Sequence, residues 1–277
     1  MEKLYEEIYQ KINNNKSLLP TMPEVGIKIL SALNHPKGNA KMFAKIIEND
    51  MALSGFIIKT SRSLRFMTRM PAKNVERAVA LIGKRETYHL SLAFLSRMAF
   101  HSSNPAIKKH IKEAYQFSTK MAVMAYFLAD KVPGVTSSDA MLAGLFQDIG
   151  VPAILGALEQ YPTILQDNKV RVACIDNLAP KVGAMIMKKW GFDDKLPIVM
   201  NRKNWMLDNK QSGLPELILI ARVHATIGTP EFKDCPPLFK IPAFHQFNLG
   251  ELGPDNTLQL LIDSKQELAE MQSLLAA

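Results

Sequence analysis

The residues of this chain best placed to do chemistry close one apolar stretch, Ala140-Met141-Leu142-Ala143-Gly144-Leu145-Phe146-Gln147-Asp148-Ile149-Gly150. A carboxylate at the end of an apolar helix can help hold a divalent cation or move a proton, but it needs partners. Histidines are the usual partners. The six present (His35, His89, His101, His110, His224 and His245) fall at no metal-ligand spacing from one another and read as ordinary surface or core residues. Asp148 alone cannot hold a catalytic metal. Other chemistries lack their residues as well. Gly83-Lys84 has Ala78 where a phosphate-binding loop needs its leading glycine, and no Gly-x-Ser-x-Gly elbow occurs. Cys174 has no evident histidine partner and reads as a small buried residue.

The totals narrow the class. The 277 residues suffice for one large domain or two small ones, with 47% hydrophobic and 22% charged residues. No apolar run is expected to reach the ~18 residues of a membrane helix. The acidic, amphipathic start differs from a secretory signal. Two distant cysteines argue against a disulfide framework and suit a reducing cytoplasm. The net charge of +8 is spread in pairs such as Lys84-Arg85 and Arg202-Lys203, which suggests solvated helix faces rather than a nucleic-acid surface. Trp190 and Trp205 lack the interleaved basic residues of a base-stacking surface and are expected to pack.

The elements that must position Asp148 are helices throughout. Leu4, Ile8 and Ile12 form one stripe from about Glu2 to Asn15. Thr21 and Glu24 have the spacing of a capping box, with Pro23 in the first turn of a helix carrying Val25, Ile29, Leu30 and Leu33 until Asn34-His35-Pro36. Asn39 and Asp50 are expected to start the next two helices. One helix is read over Lys84 to Phe100, and Ser102-Ser103-Asn104-Pro105 marks the best subdomain boundary. A further helix spans Ile111 to Lys131, and Ser137 or Ser138 caps the one ending at Asp148. Beyond it, helices are expected from Pro152, from Pro180 to Trp190 with Gly191 at its end, and from Leu214 to Ile227. A single amphipathic helix is expected from Thr257 to Leu275.

Several of these blocks carry a family resemblance. Leu18-Leu19-Pro20-Thr21-Met22-Pro23-Glu24-Val25, then Ile47-Glu48-Asn49-Asp50-Met51-Ala52-Leu53, then Val75 to Gly83, resemble in order and spacing the HDOD domain (HD-related output domain) of bacterial signalling proteins. The Ala143-Gly144-Leu145-Phe146-Gln147-Asp148-Ile149-Gly150 block resembles the segment in which metal-dependent phosphohydrolases of the HD superfamily display a His-Asp pair. The resemblance covers roughly residues 18–224. One departure is Arg62-Ser63, where the family usually has Asn-Ser.

The resemblance also says where metal-binding histidines would stand. Those positions hold Phe117 before Ser118, Gln147 before Asp148, Ala179 before Pro180, and Lys203-Asn204 where the family often has His-His. These six residues, Phe117, Gln147, Asp148, Ala179, Lys203 and Asn204, are taken as a vestigial HD pocket with no catalytic or metal-binding residue. Asp148 is expected to bond neighbouring backbone or helix ends and so keep the shape of the old site. The fold implied is all-α, an N-terminal small helical bundle packed on a degenerate HD-like core. Its expected parts are an N-terminal helix (1–17), an HDOD domain (18–225, halves 18–103 and 104–225) and a C-terminal extension (226–277). The implied function is non-catalytic regulation in bacterial signalling, through a protein partner or a small ligand, with no cofactor. The alternative weighed is a metal-dependent phosphohydrolase with a rearranged site recruiting His110 or Glu113.

Overall fold

Short polar side chains cap six of the helices that build the fold. The computed structural model describes residues 2–14, 18–35, 38–66, 68–208, 213–246 and 254–276. Chain order begins with α1 (Glu2–Asn14), α2 (Glu24–Asn34), α3 (Ala40–Ile47), α4 (Met51–Thr60), α5 (Val75–Ile82) and α6 (Lys84–Ser96). The long α7 (Pro105–Leu128) and then α8 (Ser137–Phe146), α9 (Val151–Leu158), α10 (Pro162–Gln166) and α11 (Asn168–Trp190) follow. The chain continues with α12 (Leu196–Met200), α13 (Leu214–Thr226), α14 (Ala243–Gln246), α15 (Pro254–Asp263) and α16 (Lys265–Ala276). No strand occurs among the described residues, so the all-α expectation holds. Asn39 accepts from the Met42 N–H at 3.0 Å and Asp50 from the Leu53 N–H at 2.9 Å, satisfying first-turn donors that would otherwise be orphaned.

Four local expectations need correction. Pro23, φ −57° and ψ 141°, is the residue before the first turn of α2, so Thr21 is too early to cap it. Glu24 pairs instead with Lys28 at 2.6 Å. At α8 the cap is Thr136, which accepts from the Asp139 N–H, because Ser137 and Ser138 are used elsewhere. Ser137 donates to Asp130 at 2.7 Å, and Ser138 is hydrogen-bonded to His89 at 2.9 Å. Pro180 does not open a helix but lies inside α11. The helix runs through because Leu178, Ala179, Val182 and Ile186, on both sides of it, are locked in the core. The C-terminal segment is two helices, since Leu261 is buried in one core cluster while Met271, Leu274 and Leu275 are buried in another. Asn15, Ser17 and Pro36, also part of the sequence reading, lie outside the described residues.

The main core is continuous across both expected halves, running from Ile8 and Phe43 through Leu92, Tyr126 and Phe146 to Leu275. A second cluster forms where α7 and α8 meet α13, with Met121, Ala125, Ile218 and Ala221. The C-terminal helices pack back on α7, where the Tyr115 hydroxyl donates to the Leu275 carbonyl at 2.8 Å. Arg65 ties the front of the chain to the back by a two-pronged bond to Asp130 at 2.9 Å on each arm. Arg62, at the position that departs from the family pattern, donates to the Ala72 carbonyl at 3.0 Å.

Contrary to the sequence expectation, Ser137–Leu158 is long and apolar enough to cross a membrane by composition, at mean hydropathy 1.6 over its apolar window. That window is 94% buried inside the protein, and the turn at 147–150 divides it into α8 and α9. This is the central core, and it hangs the Gln147-Asp148 turn at its midpoint.

The turn is held close to α11 by the absence of side chain at Gly150. A Cβ there would lie 2.8 Å from both the Ala179 carbonyl oxygen and the Gly183 nitrogen, backbone atoms that cannot rotate away. Gly150→Ala should therefore cost about 1–3 kcal/mol of stability in chemical denaturation, the usual penalty of overpacking. An unchanged midpoint and slope would contradict this close approach.

Candidate functional site

Asp148 is buried in the turn between α8 and α9, and its surroundings are ionic rather than peptidic. Arg202, in the turn after α12, donates its Nε–H to Oδ1. Arg222, in the middle of α13, places Nη1 3.3 Å from Oδ1 and 3.2 Å from Oδ2. The same Nη1 donates to the Gln147 side-chain oxygen at 2.8 Å. A lone carboxylate buried at such a depth would be strongly disfavoured, and guanidinium partners are what allow it to stay charged. Burial pushes Asp148 upward, but Arg202 and Arg222 outweigh it and hold the carboxyl at about 2.

The cluster extends outward by alternating charges. Arg202 Nη1 donates to Asp176 at 2.7 Å, and Lys203 reaches the other oxygen of Asp176 at 2.9 Å. Arg222 Nη2 donates to Glu231 at 2.8 Å, and Lys203 stands 3.3 Å from the same carboxylate. Asp176 is likewise held below the usual carboxylate range, with Arg202 and Lys203 prevailing over burial. For Arg202, burial works against the charge, and Asp148, Asp176 and Glu231 together raise its affinity for the proton. Three cations and three carboxylates thus neutralise one another. They come from the 147–150 turn, α11, the turn after α12, α13 and the segment after Thr229.

The six residues read as a vestigial pocket separate into three groups. Phe117, Asp148 and Lys203 line one cavity of about 660 Å³, and the Arg222 guanidinium lies 5.0 Å from the Phe117 ring centre. Gln147 is buried behind that layer as a ligand of Arg222. Ala179 packs against Gly150, and Asn204 bonds Asn201 at 3.1 Å outside the cavity. The expectation that Asp148 bonds backbone or helix ends is corrected, since its partners are two arginines.

Those arginines were missed by sequence reasoning. Arg222 did carry a signal, being the one arginine in the apolar run Leu214 to Ile227, where a fully buried charge requires a partner. Arg202 looked like half of a solvated basic pair, and nothing around Thr229-Pro230-Glu231 marks the glutamate. The cavity is also lined by His110 and Glu113, 3.4 Å apart. The two buried histidines sit elsewhere. His89 is bonded to Ser138 and His224 to Thr257, and burial lowers each to about 4.

Comparison with known proteins identifies the family and the fold. The model of the HDOD domain matches residues 19–204, about two thirds of the chain. The chain belongs to the HDOD family. Among solved structures, the HDOD chain is similar to one from Shewanella amazonensis provisionally named a metal-dependent phosphohydrolase. That pair has TM-score 0.79 and 19% identity, covering 99% of this chain and 98% of the other. It also resembles an HDOD domain protein of unknown function from Geobacter sulfurreducens, with TM-score 0.65, 14% identity, and 99% and 98% coverage. A third, from Marinobacter aquaeolei and provisionally named a signal transduction protein, has TM-score 0.68 and 18% identity over 94% of this chain and 60% of that one. These likenesses establish the shared fold. Comparison with curated proteins gives no match.

The resemblance of the Asp148 block to the HD phosphohydrolase segment raises the question of a metal, and the residues of this HDOD chain do not fit one. The positions where histidines would stand hold Phe117, Gln147, Ala179, Lys203 and Asn204. Both oxygens of Asp148 already face guanidinium groups, which would repel a cation. Among the described residues no three His, Cys, Asp or Glu side chains gather as a metal would require.

Asp148→Ala should leave two buried guanidiniums short of charge, at a cost of about 3–5 kcal/mol near neutral pH. The depressed carboxyl also fixes a pH window. Its stabilisation is fully present above the unfolded value near 3.8 and is lost as pH falls toward about 2. Wild-type protein should therefore lose roughly 2 kcal/mol across that window that the variant lacks. Denaturation curves for both proteins from pH 6 to pH 2 check this. Parallel pH profiles, or a variant within about 1 kcal/mol of wild type, would rule it out.

Proposed function

We propose that this HDOD chain is a non-catalytic signal-transduction module of the bacterial cytoplasm. It acts by contact with a signalling protein or by holding a small ligand in the cavity beside Asp148. We take residues 18–225 as the HDOD unit, with halves 18–103 and 104–225, and 226–277 as an extension that closes onto it.

The observation that carries the reading is the pairing of Asp148 with Arg202 and Arg222. A metal-dependent hydrolase needs carboxylate and imidazole lone pairs directed at an ion that acidifies a water molecule. Here the surviving carboxylate has its lone pairs directed at fixed positive charges. Two arginines supply the countercharge that an ion would otherwise bring, yet they have no open coordination position for water. Such a cluster favours a rigid platform over a reaction centre. The alternative of a rearranged hydrolase site draws only on His110 and Glu113 lining the same cavity, and neither is bonded to Asp148.

The discriminating assay incubates the full chain with nucleoside mono- and triphosphates and cyclic dinucleotides, each with Mg(II), Mn(II) or Fe(II). Product formation should stay at the no-protein background, and Asp148→Ala should change nothing in that readout. Turnover above background that Asp148→Ala abolishes while remaining folded would overturn the proposal.

A further inference from the structure

The cavity over the ion cluster has a size, a charge balance and a polar edge that specify what it would accept. Its volume of about 660 Å³ lies within the range of small-molecule sites. Ala114 and Phe117 from α7, Val151 and Leu155 from α9, and Val172 and Ile175 from α11 supply an apolar wall. Among the described residues, five Lys or Arg and five Asp or Glu side chains line it together with His110, so its permanent charges balance. Lys169, Glu113 and Asp234 lie exposed at its margin. A free anion would exchange water for a site whose inner cations, Arg202, Lys203 and Arg222, are already paired with carboxylates that repel it, while Arg171 is held by the Leu165 carbonyl and the Asn168 side chain.

Two polar atoms of the cluster are left over. Arg202 is nine-tenths buried and lines the cavity, and it spends Nε on Asp148 and Nη1 on Asp176. Its Nη2 carries no hydrogen bond among the described residues and is not sealed from solvent. Glu231 receives Arg222 and Lys203 on Oε1, which leaves Oε2 in the same condition. Arg202 and Glu231 are close enough for Glu231 to strengthen the hold of Arg202 on its proton. The cavity therefore presents one spare donor group and one spare acceptor beside an apolar wall.

We infer that the cavity binds an uncharged, largely apolar molecule whose polar edge carries an acceptor next to a donor, as a carboxamide or lactam does. The carbonyl would accept from Arg202 Nη2 and the amide N–H would donate to Glu231 Oε2. The inference rests on the non-catalytic reading, because it leaves the ion cluster intact as the floor of a binding site.

Matched pairs that differ mainly in charge test it: nicotinamide against nicotinate, and benzamide against benzoate. Each is titrated into the full chain by calorimetry, with ligand-observed NMR for weak binding. The amide of each pair should bind at least about tenfold more tightly than its acid. Ala114→Trp, which fills the apolar wall, should abolish amide binding while circular dichroism shows a folded protein. If that variant does not fold, Val172→Trp at the exposed rim serves in its place. Acids that bind as well as or better than the amides would make this an anion site, and silence from both amides would remove the site; either overturns the inference. Neither result touches the non-catalytic reading, which the nucleotide-hydrolysis assay decides separately.

Discussion

A buried carboxylate between two guanidinium groups is the constraint on which this structure depends. Asp148 cannot remain charged at its depth without Arg202 and Arg222, and neither arginine could be so deeply buried without carboxylates around it. The need is mutual, so the chain is drawn together at one place by segments far apart in sequence. The 147–150 turn, α11, the turn after α12, α13 and the segment holding Glu231 all converge there. Removing one member leaves the others uncompensated, and for that reason the cluster behaves as a unit.

The arrangement also connects stability to function. An ion in this place would be exchangeable and would carry water, whereas a guanidinium is covalently attached and carries none. The apolar helices α8 and α9 bring the turn into the core, Gly150 lets it approach α11, and Arg222 seals it from the α13 side. What remains open is the cavity above, with Phe117 on its wall where the resemblance would place a histidine. Where the resemblance would put a metal, this HDOD chain places its own charged side chains, Arg202 and Arg222, against Asp148.

Much of this was legible in the sequence, for identifiable reasons. Apolar periodicity gave the helices, and Asn39, Asp50 and Gly191 marked ends where local chemistry alone decides the geometry. The spaced motifs from Leu18 to Asp148 led to the family. Local rules failed where tertiary packing decided the outcome. Pro180 is tolerated within α11 because the residues beside it are fixed in the core. Ser137 and Ser138 gave up a capping role to bond Asp130 and His89. The candidate site was half legible. Motif position picked out Asp148, Phe117 and Lys203, but Arg202, Asp176 and Glu231 come to Asp148 only through the folded path of the chain. Arg222 alone announced itself, as a charge within an apolar helix.

Anomalous diffraction from crystals of the full chain grown with millimolar Mn(II) tests the central claim most directly. The account predicts no manganese peak at Asp148, with Arg202 and Arg222 still bonded to its carboxylate. A peak within coordination distance of Asp148, with either arginine displaced, would contradict it.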